Sequence, residues 1–176
     1  GRFSQYKNEI VNINEEFRPE DYMKREGESI GQYFGWESQG FYANESDIQN
    51  SAVSQFGIVK PGDVKYVDQN TDGFIDEFDQ KPIGNPSTPE IYYSANLGIG
   101  YKGFHISALL QGTGNSSAYL NQPHVFWPLR GNDNMSTWYD NYWTENNPSG
   151  AELPRLTTQS NENNYRANDI WIRDNS

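Results

Sequence analysis

The strictest alternation of apolar and polar positions lies at 91–111. Tyr93, Ala95, Leu97, Ile99 and Tyr101 take every second place, with Ser94, Asn96, Gly98, Gly100 and Lys102 between them. After Lys102-Gly103 the alternation resumes, Phe104, Ile106, Ala108 and Leu110 against His105, Ser107, Leu109 and Gln111. A period of two puts successive side chains on opposite faces of a strand, and glycine tolerates the positive φ that a two-residue hairpin loop demands. The spacing predicts a β-hairpin over 91–111 with one apolar face, aromatic at its ends, and one face of polar residues and glycine. Two settings produce this pattern. One is a half-buried sheet in a soluble sandwich. The other is a transmembrane β-barrel, whose strands need about 9–11 tilted residues with aromatics at the interfaces. A polar face of Ser, Asn, Gly and Gln rather than Lys and Glu leans towards a wet lumen, but periodicity alone leaves both open.

Elsewhere the pattern is weaker. Residues 1–25 are polar, broken by Pro19, and predict no element. Between 26 and 60, short aromatic clusters set among glycines (Gly31-Gln32-Tyr33-Phe34-Gly35-Trp36, then Gly40-Phe41-Tyr42) read as short strands and turns. Asp47 to Gln55 reads as a helical turn or two, and Val64-Lys65-Tyr66-Val67 as a strand. Residues 112–170 hold no sustained period. Gly112 to Ser117 reads as a small-residue loop, and Gln122-Pro123 through Trp127-Pro128 as extended or turned. Met135 to Trp143 reads as a short helix capped by Asn134 or Ser136, with Trp138 and Tyr142 on one face. So long a stretch with little regular structure is usually functional.

Composition narrows the class. The chain has 176 residues, one domain or a piece of a larger protein. Only 34% are hydrophobic and mean hydropathy is −0.91, yet aromatics reach 15%, with 12 Tyr and 5 Trp. A disordered chain would be poor in aromatics, so this one folds, with long ordered loops around a modest sheet. Thirteen Lys and Arg against 24 Asp and Glu leave a charge of −11, which argues against nucleic acid, whose phosphates are met by clustered Lys and Arg. No apolar run of about 18 residues exists, so no transmembrane helix is expected. No signal peptide is visible, and the opening Gly1 reads as a trimmed start. The absence of cysteine excludes disulfides, thiolate metal sites and a cysteine nucleophile.

One segment carries metal chemistry. In Asp68-Gln69-Asn70-Thr71-Asp72-Gly73-Phe74-Ile75-Asp76-Glu77-Phe78-Asp79, the residues Asp68, Asn70 and Asp72 stand at positions one, three and five of a calcium loop. Gly73 permits the sharp turn at six, Phe74 offers its carbonyl at seven, Ile75 is the apolar anchor at eight, and Asp76 stands at nine. Asp79 at twelve is shorter than the usual bidentate Glu. A strand precedes the loop and Pro82 follows it closely, so this is a calcium loop without the helix pair of an EF-hand. Four aspartates within twelve residues repel one another unless a cation, calcium or magnesium, sits among them in a structural role. The alternative is an Asx-rich turn that holds itself together without metal.

Catalytic signals are weak. His105 and His124 lack zinc spacing, and no GxSxG, P-loop or GxGxxG motif is present. No two of the many Asp and Glu are marked out as a glycosidase carboxylate pair; no enzyme is expected, and a glycoside hydrolase domain with two facing carboxylates stands as a further alternative. Trp127, Trp138, Tyr139, Tyr142 and Trp143 form an aromatic set that either stacks on a substrate sugar or packs its loop against the scaffold.

Three blocks, in order, resemble the SusC/RagA family of TonB-dependent outer-membrane transporters. The first is Glu26-Gly27-Glu28-Ser29-Ile30-Gly31-Gln32-Tyr33-Phe34-Gly35-Trp36, followed by Gln39-Gly40-Phe41-Tyr42. The second runs from Pro61-Gly62-Asp63 through the calcium loop to Ile83-Gly84-Asn85-Pro86, and on to Tyr101-Lys102-Gly103-Phe104 and Gln111-Gly112. The third is Tyr142-Trp143-Thr144-Glu145-Asn146-Asn147-Pro148, Leu153-Pro154-Arg155-Leu156 and Asn163-Asn164-Tyr165 to Trp171-Ile172-Arg173-Asp174. Ser29 stands where the family usually has Pro, and Asn175 where it commonly has Gly. The resemblance implies a mainly β fragment, 1–176, from the C-terminal part of a transmembrane barrel. It divides into a strand and loop region 26–90, the hairpin 91–111, and a long extracellular loop 112–176. Lys102-Gly103 would be a periplasmic turn, and the hairpin's apolar face would meet outer-membrane lipid. The whole protein would import glycans or peptides with a SusD-like surface lipoprotein, driven by the TonB complex through regions outside this fragment. A secreted or periplasmic calcium-stabilised carbohydrate-binding module is the alternative. It requires the hairpin to bury its apolar face within the chain.

Overall fold

A computed structural model describes residues 1–120 and 140–175. In chain order the strands are β1 (Arg2–Gln5), β2 (Tyr33–Gly35), β3 (Ser38–Phe41), β4 (Val53–Ser54), β5 (Val64–Tyr66), β6 (Phe74–Ile75), β7 (Lys81–Ile83), β8 (Ile91–Tyr101), β9 (Phe104–Gly114), β10 (Ser116–Tyr119) and β11 (Ile172–Asn175). Among the described residues the α-helices are α1 (Glu45–Gln49) and α2 (Glu162–Tyr165), with 3-10 turns at Asp21–Met23, Glu77–Asp79 and Asp169–Trp171.

β8 and β9 form the predicted hairpin. Lys102 (φ 46°) and Gly103 (φ 86°) both take positive φ, the type I′ geometry whose twist matches that of the flanking strands. The register Ala95↔Leu110, Leu97↔Ala108, Ile99↔Ile106 and Tyr101↔Phe104 puts every predicted apolar residue on one face. Two expectations are corrected. Gly112 to Ser117 is not a loop: β9 runs on to Gly114 and β10 starts at Ser116, with Asn115 (φ 51°) as the break. Strand pairing with Ile91, Tyr92 and Tyr93 overrides the weak propensity of these small residues. The Tyr93 ring lies over Gly112, where an added Cβ would come within 2.3 Å of it. The N-terminal residues also supply an element. β1 pairs antiparallel with β8, Phe3 opposite Tyr93, making an open three-stranded sheet. The described strands form no closed barrel.

The rest of the chain folds above one end of this sheet as a cap of two-stranded pairings: β2 with β7, β3 with β5, β10 with β11, all antiparallel, and β4 with β6 in parallel. The helix expected over 47–55 lies instead at Glu45–Gln49, with Val53–Ser54 in strand β4, and the Asn44 side chain caps α1 by accepting from Asp47 N at 2.9 Å. Two apolar clusters hold the cap. Trp36, Val64, Tyr66 and Ile75 form one, Tyr142, Leu153 and Trp171 the other, and Ile170 packs against both. β11 returns along the line of β9, where Asn175 Nδ2 donates to Thr113 O at 2.8 Å.

Candidate functional site

The loop 68–79 is closed by its own hydrogen bonds. Asp68 accepts from Asp72 N at 3.2 Å and from Gly73 N at 2.8 Å, and Asn70 Oδ1 accepts from Asp72 N at 3.1 Å. Asp72 accepts from Phe74 N, and Asp76 from Phe78 N, each at 2.8 Å. Asp79 is fully buried and spends one carboxylate oxygen on Gln69 N and the other on Asp76 N, both at 2.8 Å, tying the loop's end to its start. Gly73 has the positive φ (87°) that position six requires, and Ile75 is buried as the predicted anchor. Burial pushes the Asp79 carboxyl above the ordinary range. The two N–H donors partly offset this, and the charges of Asp68 and Asp76 add to it.

Among the described residues no three Asp, Glu, His or Cys side chains stand close enough together to hold an ion. The donor set remains one of hard oxygens suited to calcium or magnesium: Asp68, Asn70, Asp72, the Phe74 carbonyl, Asp76 and Asp79. Each side-chain oxygen that accepts a single N–H keeps a lone pair. Asp79 acts here as the strut that closes the loop.

The loop is tied to both halves of the cap. Trp36 Nε1 donates to Asp76 O at 2.7 Å, and Tyr22 donates its hydroxyl to Phe78 O at 2.8 Å. Burial first, then the charges of Glu20 and the loop aspartates, push the Tyr22 phenol up to about 12. From the far half, Arg166 pairs with Glu77 at 2.8 Å while its guanidinium lies 3.7 Å over the Phe56 ring and 5.2 Å from that of Trp36.

Beneath the loop lies a polar core. Asp63, fully buried, accepts from Lys60 N at 2.7 Å, Asn161 Nδ2 at 2.9 Å and Asn164 Nδ2 at 3.0 Å. Arg155 pairs with it, Nε 2.7 Å from Oδ1. Asn163 and Asn164 bond the backbone of Val64 in the manner of a strand partner, Nδ2 to Val64 O at 2.8 Å and Oδ1 from Val64 N at 2.9 Å. The Tyr66 hydroxyl donates to Asn163 O and accepts from Asn168 Nδ2. No role was foreseen for these residues, and the asparagine density of 161–168 was the available signal.

Of the predicted aromatic set, Trp127, Trp138 and Tyr139 lie outside the described residues. Tyr142 and Trp143 are buried and extended rather than helical. Tyr142 bridges to Leu153, Trp143 N donates to Leu153 O at 2.8 Å, and the Trp143 ring packs on Gly62. This is the packing alternative, because neither ring is open to a sugar. His124 also lies outside the described residues, and His105 is exposed on the polar face of β9.

The sheet behaves in the opposite way. Leu97, Ile99, Ile106 and Leu110 are 60%, 71%, 69% and 56% exposed, with Phe3, Tyr93, Tyr101 and Phe104 alongside them. Nothing among the described residues covers this face. The chain is similar to TonB-dependent receptor P26 of Formosa agariphila, 27% identical over 129 residues, which make up 73% of this chain and 13% of that protein. It is similar to TonB-dependent receptor P3 of the same organism, 29% identical over 121 residues, 62% of this chain and 12% of that protein. These likenesses support the TonB-dependent receptor family. No family model matches. The chain thus spans about an eighth of the length of the curated relatives it matches.

Proposed function

We propose that this chain is part of an outer-membrane TonB-dependent transporter of the SusC/RagA type, importing oligosaccharides or peptides with a surface lipoprotein partner. In this reading β1, β8 and β9 are barrel wall, with the Lys102-Gly103 turn towards the periplasm and the cap outside the cell. The observation that carries it is the uncovered apolar face of a sheet whose other face is polar, beside a cap that has a core of its own. Lipid-facing strands alternate in this manner. A secreted binding module would need that face buried within the chain, and in the described residues it is not. Fractionation of native cells and protease shaving of intact ones test the proposal. Recovery in the outer membrane with cuts confined to 68–79 or 112–170 is expected, and a soluble periplasmic or secreted product overturns it.

The loop 68–79 is read as a structural cation site that stiffens the cap, with calcium or magnesium relieving the repulsion among its aspartates. Chelation is expected to loosen the cap, and calcium to restore it. If Asp68→Ala and Asp72→Ala leave both cation binding and thermal stability unchanged, the loop is a self-sufficient Asx turn.

A further inference from the structure

The polar face of the sheet holds a cleft that no pattern along the chain announces. Arg2, Ser4, Tyr92 and Gln111 line one hollow, and a second, sharing Ser4 and Tyr92, extends it to Tyr6 and Asn8. Strand register explains the gathering. Arg2 stands opposite Ser94, and Ser94 opposite Gln111, while Ser4 stands opposite Tyr92. Tyr6, one step beyond β1, is fixed by its N–H to Glu90 O at 2.8 Å. The rings of Tyr6 and Tyr92 meet edge to face, centroids 6.2 Å apart at 71°. They are 64% and 40% exposed, whereas the cap buries Tyr42, Tyr66 and Tyr142.

Two open tyrosines on a polar sheet face serve no core. An aromatic face ringed by hydroxyl, amide, guanidinium and, at Glu90, carboxylate groups matches a ligand with a flat C–H surface and a rim of hydroxyls. The lining contains no Leu, Ile, Val, Met or Phe to receive an apolar peptide side chain. Arg2 has no ion-pair partner among the described residues, which leaves its fork of N–H donors for ligand oxygens.

We propose that this cleft is a saccharide subsite. Tyr92, steadied by Tyr6, stacks on a sugar ring, and Arg2 and Gln111 hydrogen-bond its hydroxyls. The proposal rests on the transporter reading, in which the polar face lines the lumen, and selects the saccharide from the two substrate classes named there.

The test uses the full-length protein that contains this chain, purified in detergent and applied to an array of neutral and acidic oligosaccharides. The best-retained oligosaccharide is then titrated against variants. Tyr92→Ala is expected to weaken binding by roughly fivefold or more, the scale of a lost aromatic contact. Tyr92→Phe keeps the ring and stays within about twofold, and Tyr101→Ala on the opposite face changes nothing. Retention of no oligosaccharide, or equal binding by Tyr92→Ala, overturns the subsite. Membrane fractionation of the same variants keeps the two readings apart. A soluble protein whose binding still depends on Tyr92 retains the subsite and loses the barrel.

Discussion

The cap and the three-stranded sheet solve the problem of scarce aliphatic residues in opposite ways. The cap folds around polar groups. Asp63, Asn161, Asn163, Asn164 and Asn168 are all buried, with their side chains bonded to backbone and to one another. The sheet keeps its aliphatic residues, Leu109 excepted, on one face, and Leu97, Ile99, Ile106 and Leu110 there are turned outward. A buried polar group is tolerated only when bonded, so the cap's stability rests on the bonds that Asp63 and these asparagines make. The sheet's apolar face is stable only if something apolar covers it. The cap is therefore self-contained, and the sheet is a surface waiting for its solvent.

The largest effect should come from breaking the cap's network at its centre. Asp63→Ala leaves Arg155 without its partner and the amides of Asn161 and Asn164 without an acceptor. Removing one member of a buried pair costs about 3–5 kcal/mol. Hydrogen exchange should show protection lost across the cap while β8 and β9 keep theirs. Protection lost in both would mean that cap and sheet unfold as one unit.

Next in size is a charge on the sheet's outer face. Leu97→Arg costs about 2–4 kcal/mol if the face meets the middle of a bilayer. It costs within about 0.5 kcal/mol if the face meets water. The stability of the full-length protein in lipid vesicles distinguishes the two, and a neutral result removes the lipid reading.

The same contrast explains what was legible in the sequence. The hairpin announced itself because period-two alternation is local: each of Tyr93 to Leu110 states its own face, and Lys102-Gly103 marks the turn. β1 was too short to show a period, and only its pairing with β8 makes Arg2 to Gln5 a strand. Gly112 to Gly114 read as loop because small residues lack β propensity, and the Tyr93 ring that covers Gly112 comes from another strand. The loop 68–79 was visible as spacing, yet spacing does not say that Asp79 turns its carboxylate back onto Gln69 N and Asp76 N. Asn163 and Asn164 bond Val64 across about a hundred positions, and no composition or period encodes that. The Tyr6 and Tyr92 cleft was invisible for the same reason.

A smaller effect is expected at the seam between the cap's halves. Arg166→Gln removes the cation over Phe56 and Trp36 together with the Glu77 pair. The expected cost is about 0.5–2 kcal/mol. Trp36 fluorescence should shift, and the loop 68–79 should become more open to protease. An unchanged loop would show that Trp36 Nε1 on Asp76 O and the Tyr22 hydroxyl on Phe78 O hold it without Arg166.

The finest separation within the cap is by pH. Burial pushes Asp169 above its ordinary value of 3.8, against the Ser38 hydroxyl and N–H that hold it down, the N–H at 3.0 Å. Between its unfolded and folded values the folded state binds the extra proton, so this group's contribution to stability falls as pH rises through that window. Asp47 behaves in the reverse sense. Lys65 first, then the Ala43 N–H, hold it below 3.8, so its contribution is present above that value and lost as pH falls through its folded one. Protection factors of the two amides read the groups separately. That of Ser38 should decline as pH rises above 3.8, and that of Ala43 should decline as pH falls below it. Asp169→Asn keeps an oxygen for Ser38 N and should flatten the first slope alone. A Ser38 protection factor that ignores pH would mean that the Asp169 charge is solvated and that this edge of the cap is looser than its hydrogen bonds imply.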